Sequence, residues 1–263
     1  QREAIIAIDG ANGHLLYDFQ NGDPFDLNPP EPGPRWLRER VGIDFLADIV
    51  DVRLTAHSKG IIYPNGHFGP VVSVHPDLSE ATFAELTKLP RLSRLTLVPA
   101  ERDGLPAQRL AVLRQLPQLQ ELNIHGADLE EAHFRHIGTL QRLRVLRFGD
   151  NDDHLRGRAC LIQRGATLES KGFRHLSGMS ELETLDLSGR VLKGEGLKNL
   201  AGVRSLMWLD CSNCSIVDEE LGHLQDCKGL EKLDLSANEI SGPGLKHLIG
   251  LQKLTELDLS LTG

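Results

Sequence analysis

The sequence predicts an α/β solenoid, with a curved parallel sheet on a concave side, helical or irregular segments on a convex side, and a small N-terminal α/β cap. Three observations predict it. Lines beginning at Leu182, Leu206, Leu230 and Leu254 read LETLDLSGRVL, LMWLDCSNCSI, LEKLDLSANEI and LTELDLSLTG, each starting 24 residues after the last. Lines of the same form begin earlier, at Leu92, Leu119 and Leu143. The composition suits a core of stacked aliphatic layers, because 40% of residues are hydrophobic while only 5% are aromatic.

The front end comes first in the chain and does not follow the repeat. EAIIAI reads as part of a short helix, and GHLLYDF as a strand with Leu15, Tyr17 and Phe19 on one side. PPEPGP is a stiff, breaker-rich connection. WLRERVGIDFLADIV then reads as an amphipathic helix offering Trp36, Leu37, Val41, Phe45 and Leu46 to a core. It runs into DVRL, the expected first strand, and VVSV is the expected second. Residues 1–54 are thus assigned to a cap that covers the first repeat, and residues 55–263 to the repeats.

Each repeat line supplies one short strand. Side chains alternate along it, so Leu185 and Leu187 point into the core while Thr184, Asp186 and Ser188 face out. The remainder, such as DEELGHLQDCKGL, returns on the opposite side. No repeat can bury its apolar face alone, and stacking completes the core. The spacing L-x-x-L-x-L-x-x-N/C-x-L over seven lines resembles that of leucine-rich repeats. More narrowly, QREAIIAIDGANGHLLYDFQ followed by PGPRWLRERVGIDFLADIVDVRL resembles the start of planctomycete-type bacterial leucine-rich repeat proteins. That resemblance implies a parent with an N-terminal transmembrane anchor upstream of this segment, a membrane-associated location, and no enzymatic activity.

The repeat also disposes of several motifs. CSNC looks like a metal or redox pair, yet Cys211 falls in the inward column of Leu187, Leu235 and Leu259. Cys214 shares the N/C column with Asn238, and Cys227 an apolar column with Met179, Val203 and Leu251. These cysteines read as small buried hydrophobes. His136, His175, His223 and His247 recur in one register, with Asn199 filling the same column. His133 and His136 can share a helix face, but two ligands are a weak metal signal. GEGLKNL and GPGLKHL lack the strand–glycine loop–helix context of a dinucleotide site. No metal and no cofactor is expected.

A net charge of −8 argues against nucleic acid as a partner, since phosphate contacts need clustered cations. No apolar run reaches the roughly 18 residues of a membrane-spanning helix. The chain starts at Gln1 rather than Met, so the expected link to a membrane is an upstream anchor alone. LTELDLSLTG stops inside a repeat, which leaves its strand open to a further repeat, another chain or edge-to-edge self-association.

Function on this fold belongs to the concave strand face and to irregularities in the repeat. Trp208 stands out there, a large aromatic in an outward column that otherwise holds Thr, Lys and Glu. Arg147, His125 and Asn123 extend the patch toward the middle, and Lys232 flanks it. Asp186, Asp210, Asp234 and Asp258 form one column with neighbours about 4.8 Å apart. The interval from Leu143 to Leu182 is 39 residues, which places an insertion at about 150–167. Its Asp150, Asn151, Asp152 and Asp153 carry oxygen donors suited to calcium but lack EF-hand spacing. The expectation is a non-enzymatic module binding a protein on the concave face. The alternative is a cation- or glycan-binding surface that uses the Asp column or the insertion. No nucleophile–base pair stands apart from the repeat columns.

Overall fold

The computed structural model describes four short front strands, Leu78 and most of residues 83–99, and then residues 102–149, 166–193 and 196–262. The front strands are β1 (Ile6–Asp9), β2 (Leu15–Tyr17), β3 (Asp51–Thr55) and β4 (Val71–His75). The repeat strands follow as β5 (Arg94–Val98), β6 (Glu121–Ile124) and β7 (Val145–Arg147). After them come β8 (Thr167–Glu169), β9 (Thr184–Asp186) and β10 (Val191–Lys193). The last are β11 (Trp208–Asp210), β12 (Lys232–Asp234) and β13 (Glu256–Asp258).

Eleven strands form one sheet in the order β13-β12-β11-β9-β7-β6-β5-β3-β4-β1-β2. From β13 to β5 this is simple stacking of successive repeats, all parallel, with leucine opposite leucine: Leu95, Leu122, Leu146, Leu185, Leu209, Leu233 and Leu257. The periodic leucines therefore fix both strand position and register, because a one-residue slip would turn them to the solvent face. Behind the sheet the chain returns through 3-10 turns at Ala107–Gln115, Ser170–Leu176, Gly196–Gly202, Asp218–Leu224 and Gly244–Leu248. In the repeat that begins at Leu119 an α-helix, α1 (Glu131–Ile137), takes the same place. The core is a continuous aliphatic column between these layers.

A second periodic device turns the chain at the end of each strand. Gly126, Gly189, Asn213, Ala237 and Leu261 all lie seven residues after a repeat start, and all have φ between 52° and 71°. Glycine and asparagine tolerate this left-handed region; Ala237 and Leu261 occupy it at a steric cost.

The insertion is now located. Seven residues separate Leu122 from Leu129 and Leu185 from Leu192, whereas 22 separate Leu146 from Leu168. Leu168 nonetheless rejoins the register: β8 pairs with β10, and Leu168 bridges Leu129. The extra residues thus lie between the concave strand and this second, smaller ladder. Two acceptors stitch the returning chain to the preceding repeat: the Thr167 amide donates to Asp128 Oδ1 at 2.6 Å, and the Glu131 amide to Glu169 Oε2 at 2.8 Å. Beside this junction three phenylalanines replace aliphatic filling, with Phe134 edge-to-face on Phe148 and on Phe173 at centroid distances of 5.5 and 5.4 Å. Gly172 makes this possible, since a Cβ there would overlap the Phe134 ring.

Two expectations are corrected at the front. The IAI of EAIIAI is strand β1, not helix, because it pairs antiparallel with β2 and parallel with β4. The two predicted strands exist, but β3 rather than β4 abuts β5, which reverses the expected succession. The helix expected at WLRERVGIDFLADIV lies outside the described residues.

Candidate functional site

Strand register builds the concave face in two columns. The first runs Arg94, Glu121, Val145, Thr184, Trp208, Lys232, Glu256, and the second Thr96, Asn123, Arg147, Asp186, Asp210, Asp234, Asp258. The two halves of this face differ in character.

In the N-terminal half several polar groups pair with one another. Arg147 forms an ion pair with Glu121 and lies 3.5 Å from Asn123 Oδ1. Asn123 Nδ2 donates to Thr96 Oγ1 at 3.2 Å and to Glu121 Oε1 at 3.1 Å. His125 Nδ1 donates to the Gly149 carbonyl at 2.5 Å. As a result His125 is fully buried, and Asn123 and Asp186 are only 6% and 7% exposed. These three residues occupy the expected columns but do not present themselves to a partner, which corrects the expectation that His125 and Asn123 extend an open patch. Gly149 permits the close packing, because a Cβ there would overlap Asp186 Oδ1 and Ser188 Oγ.

The C-terminal half is open. Trp208 is 39% exposed, with Thr184 on one side and Lys232 on the other. Lys232 Nζ reaches Glu256 Oε1 at 2.6 Å. Asp210, Asp234 and Asp258 each accept the backbone N–H of the serine two residues on, at 2.8–2.9 Å. The Ser212 hydroxyl also donates to Asp210 Oδ1 at 2.7 Å. Along this column the environment changes. Burial, and then the neighbouring Asp186 carboxylate, push Asp210 up to about 6 in spite of its bonds from Ser212. At the open end, the hydrogen bonds from Ser260 hold Asp258 below the usual carboxylate value.

The cysteines sit where the repeat places them. Cys211, Cys214 and Cys227 are buried, unpaired thiols. Burial raises Cys214 to about 12 and Cys227 to about 11, and it raises Cys211 well above its ordinary value. None carries the low-pKa thiolate of a redox or metal site. His133 has both ring nitrogens engaged: Nδ1 accepts the Glu130 amide at 3.0 Å, and Nε2 donates to the Leu105 carbonyl at 2.7 Å. His175 lies 3.1 Å from Glu131 Oε1, in a cluster with Arg135 and Arg174. The hydrogen bond from His175, then those of the two arginines, lower Glu131 to about 2. Among the described residues no group of three or more His, Cys, Asp or Glu side chains could hold a metal ion. Asp150, Asn151, Asp152 and Asp153 lie outside the described residues.

The N/C column decides what kind of solenoid this is. Asn238 Oδ1 accepts the amides of Cys214 (3.0 Å) and Ile216 (2.9 Å), while Nδ2 donates to the carbonyls of Cys211 (2.8 Å) and Leu235 (2.9 Å). One side chain thereby closes its own turn and ties it to the previous repeat. The same column holds Cys214, Arg190, Ala166 and Ala127 at equivalent register, all buried. The fold is a leucine-rich repeat solenoid. Sequence reasoning missed Arg190, although the 24-residue spacing from Cys214 puts it in this column. Its fully buried side chain passes the small Ala166, and Nη2 donates to the Ala127 carbonyl at 2.8 Å, two repeats away.

No protein-family profile and no curated protein matches the sequence. Among solved structures the chain is similar to the internalin InlF of Listeria monocytogenes, at 14% identity and a TM-score of 0.47, over 72% of this chain and 54% of that one. It is also similar to internalin C2 of the same organism, at 18% identity and a TM-score of 0.47, over 83% of this chain and 74% of that one. A third similarity is to a chain of the Drosophila Toll–Spätzle complex, at 18% identity and a TM-score of 0.49, over 72% of this chain and 23% of that one. The chain thus spans about half the length of the first of these.

Proposed function

We propose that this chain is a non-enzymatic protein-interaction module that binds a protein partner on the concave strand face, with residues 1–54 as its cap. The observation that carries this reading is Trp208, 39% exposed in the middle of the open half of that face. Large aromatics so placed dominate binding energy in protein interfaces. The reading is supported from the other side by the buried, high-pKa thiols and by His133, whose ring nitrogens are both engaged. No helix among the described residues is long and apolar enough to cross a membrane. On this reading an upstream anchor, of the kind the front segment resembles, holds the module at a membrane surface.

The test is affinity capture from membrane and soluble extracts of the native organism, comparing the wild type with Trp208→Ala. We expect a specific partner held by the wild type and weakened by about tenfold or more in a variant whose circular dichroism and melting are unchanged. Equal retention by both would contradict the site.

A further inference from the structure

Met207 precedes Trp208 at the start of β11 and is equally exposed, at 39%. Its register equivalents at the sheet rim are Ser93, Gln120, Arg144, Glu183, Glu231 and Thr255, so an apolar side chain stands where the other repeats place a polar or charged one. The two residues are consecutive exposed apolar side chains on a face and rim whose other positions, Val145 apart, are polar or charged. Ion pairs flank them on both sides: Arg144 with Glu183 at 2.7 Å, and Lys232 with Glu256 at 2.6 Å. The cations of this neighbourhood are therefore already committed.

Its remaining carboxylates are not. Among the described residues, Asp210, Asp234 and Asp258 accept bonds only from serine, and no cation faces them within ion-pair distance. A partner that covers Trp208 must also cover Asp210 and Asp234, one register step away on β11 and β12. Removing carboxylates from water without a countercharge is costly, and an acidic surface would add repulsion. A segment bearing lysine or arginine turns the same contact into charge-assisted hydrogen bonds. The polarizable, unbranched Met207 adapts its shape to the apolar group that it meets.

We propose that Met207 and Trp208 form the centre of a docking surface for a basic polypeptide segment, which lays an apolar side chain on this pair and cationic side chains on Asp210, Asp234 and Asp258. This rests on the concave-face reading and names the chemistry of its partner.

The experiment is selection of random twelve-residue peptides displayed on phage against the full chain, followed by affinity measurement of synthetic winners. The expected winners combine Lys or Arg with Leu, Phe or Trp. They should lose about tenfold or more in affinity with Met207→Ala/Trp208→Ala and, separately, with Asp210→Asn/Asp234→Asn. The asparagines keep the oxygen that accepts the serine amides, so the second variant tests charge on an intact fold. Winners that depend on Trp208 but carry no cations, or that ignore the Asn double variant, overturn the basic-partner proposal and leave the concave-face reading standing. Winners indifferent to Trp208→Ala, or no enrichment at all, overturn both.

Discussion

Asp210 shows what strict repetition does to a single residue. Placing the same LDLS-type line in each repeat puts Asp210 between Asp186 and Asp234 on a partly covered face, and its folded pKa rises from 3.8 to about 6. The unfolded chain gives up this proton earlier as pH rises, so the folded state binds more protons between about 4 and 6. The group contributes no penalty below that window, an increasing one through it, and the full penalty above it. Asp210→Asn should therefore stabilise the protein by roughly 1–2 kcal/mol at pH 7, after allowance for solvent screening, and by little at pH 4. Urea melts at the two pH values check this, and a gain that is larger at pH 4 would reverse the sign. Asn238 is the opposite case, with its amide saturated by backbone partners from two repeats. Asn238→Ala strands buried amides and carbonyls and should cost about 2–4 kcal/mol in the same measurement.

These residues also mark how far the sequence could be read. The column of each side chain followed from the leucine spacing, and so did the burial of Cys211, Cys214 and Cys227. The seclusion of His125 and Asp186 did not. Periodicity assigns a face, but it carries no record of the Gly149 carbonyl closing on His125 or of a missing Cβ admitting Asp186. For the same reason the spacing assigns Arg147 to the patch beside Trp208 without revealing that it stands in the structure as the partner of Glu121.

At the scale of elements, the repeat tolerates its insertion because the chain re-enters register at once. β8 resumes the second ladder, Asp128 and Glu169 hold the returning backbone, and the Phe134–Phe148–Phe173 group fills the layer. Arg190 spans the same junction, reaching over Ala166 to Ala127. Its removal leaves a buried void and an unsatisfied carbonyl, so Arg190→Ala should destabilise by about 3 kcal/mol. Arg190→Lys, with shorter reach and no planar fork, should recover only part of that. Chemical denaturation of both variants decides it; an unchanged midpoint in Arg190→Ala would mean that the junction holds without this side chain. The front strands were less legible. IAI is short enough to suit a helix or a strand, and only its pairing with β2 and β4, which lie far apart in the chain, selects the strand.

At the scale of the whole molecule, one sheet carries two surfaces of different character. Its N-terminal half is closed by internal pairs, and its C-terminal half exposes Met207 and Trp208 among uncommitted carboxylates. Each repeat stacks on its neighbours along the sheet, so on the proposed reading a partner meets a preformed surface with little ordering cost. The most direct measurement is site-specific photocrosslinking in native extract, with benzoylphenylalanine placed at Trp208 in one sample and at the exposed Gln252, in the turn that follows the Gly244–Leu248 segment, in another. A discrete protein adduct from position 208 and none from position 252 is the predicted result. Adducts from position 252 alone, or equally from both, would contradict a partner docked on the concave face.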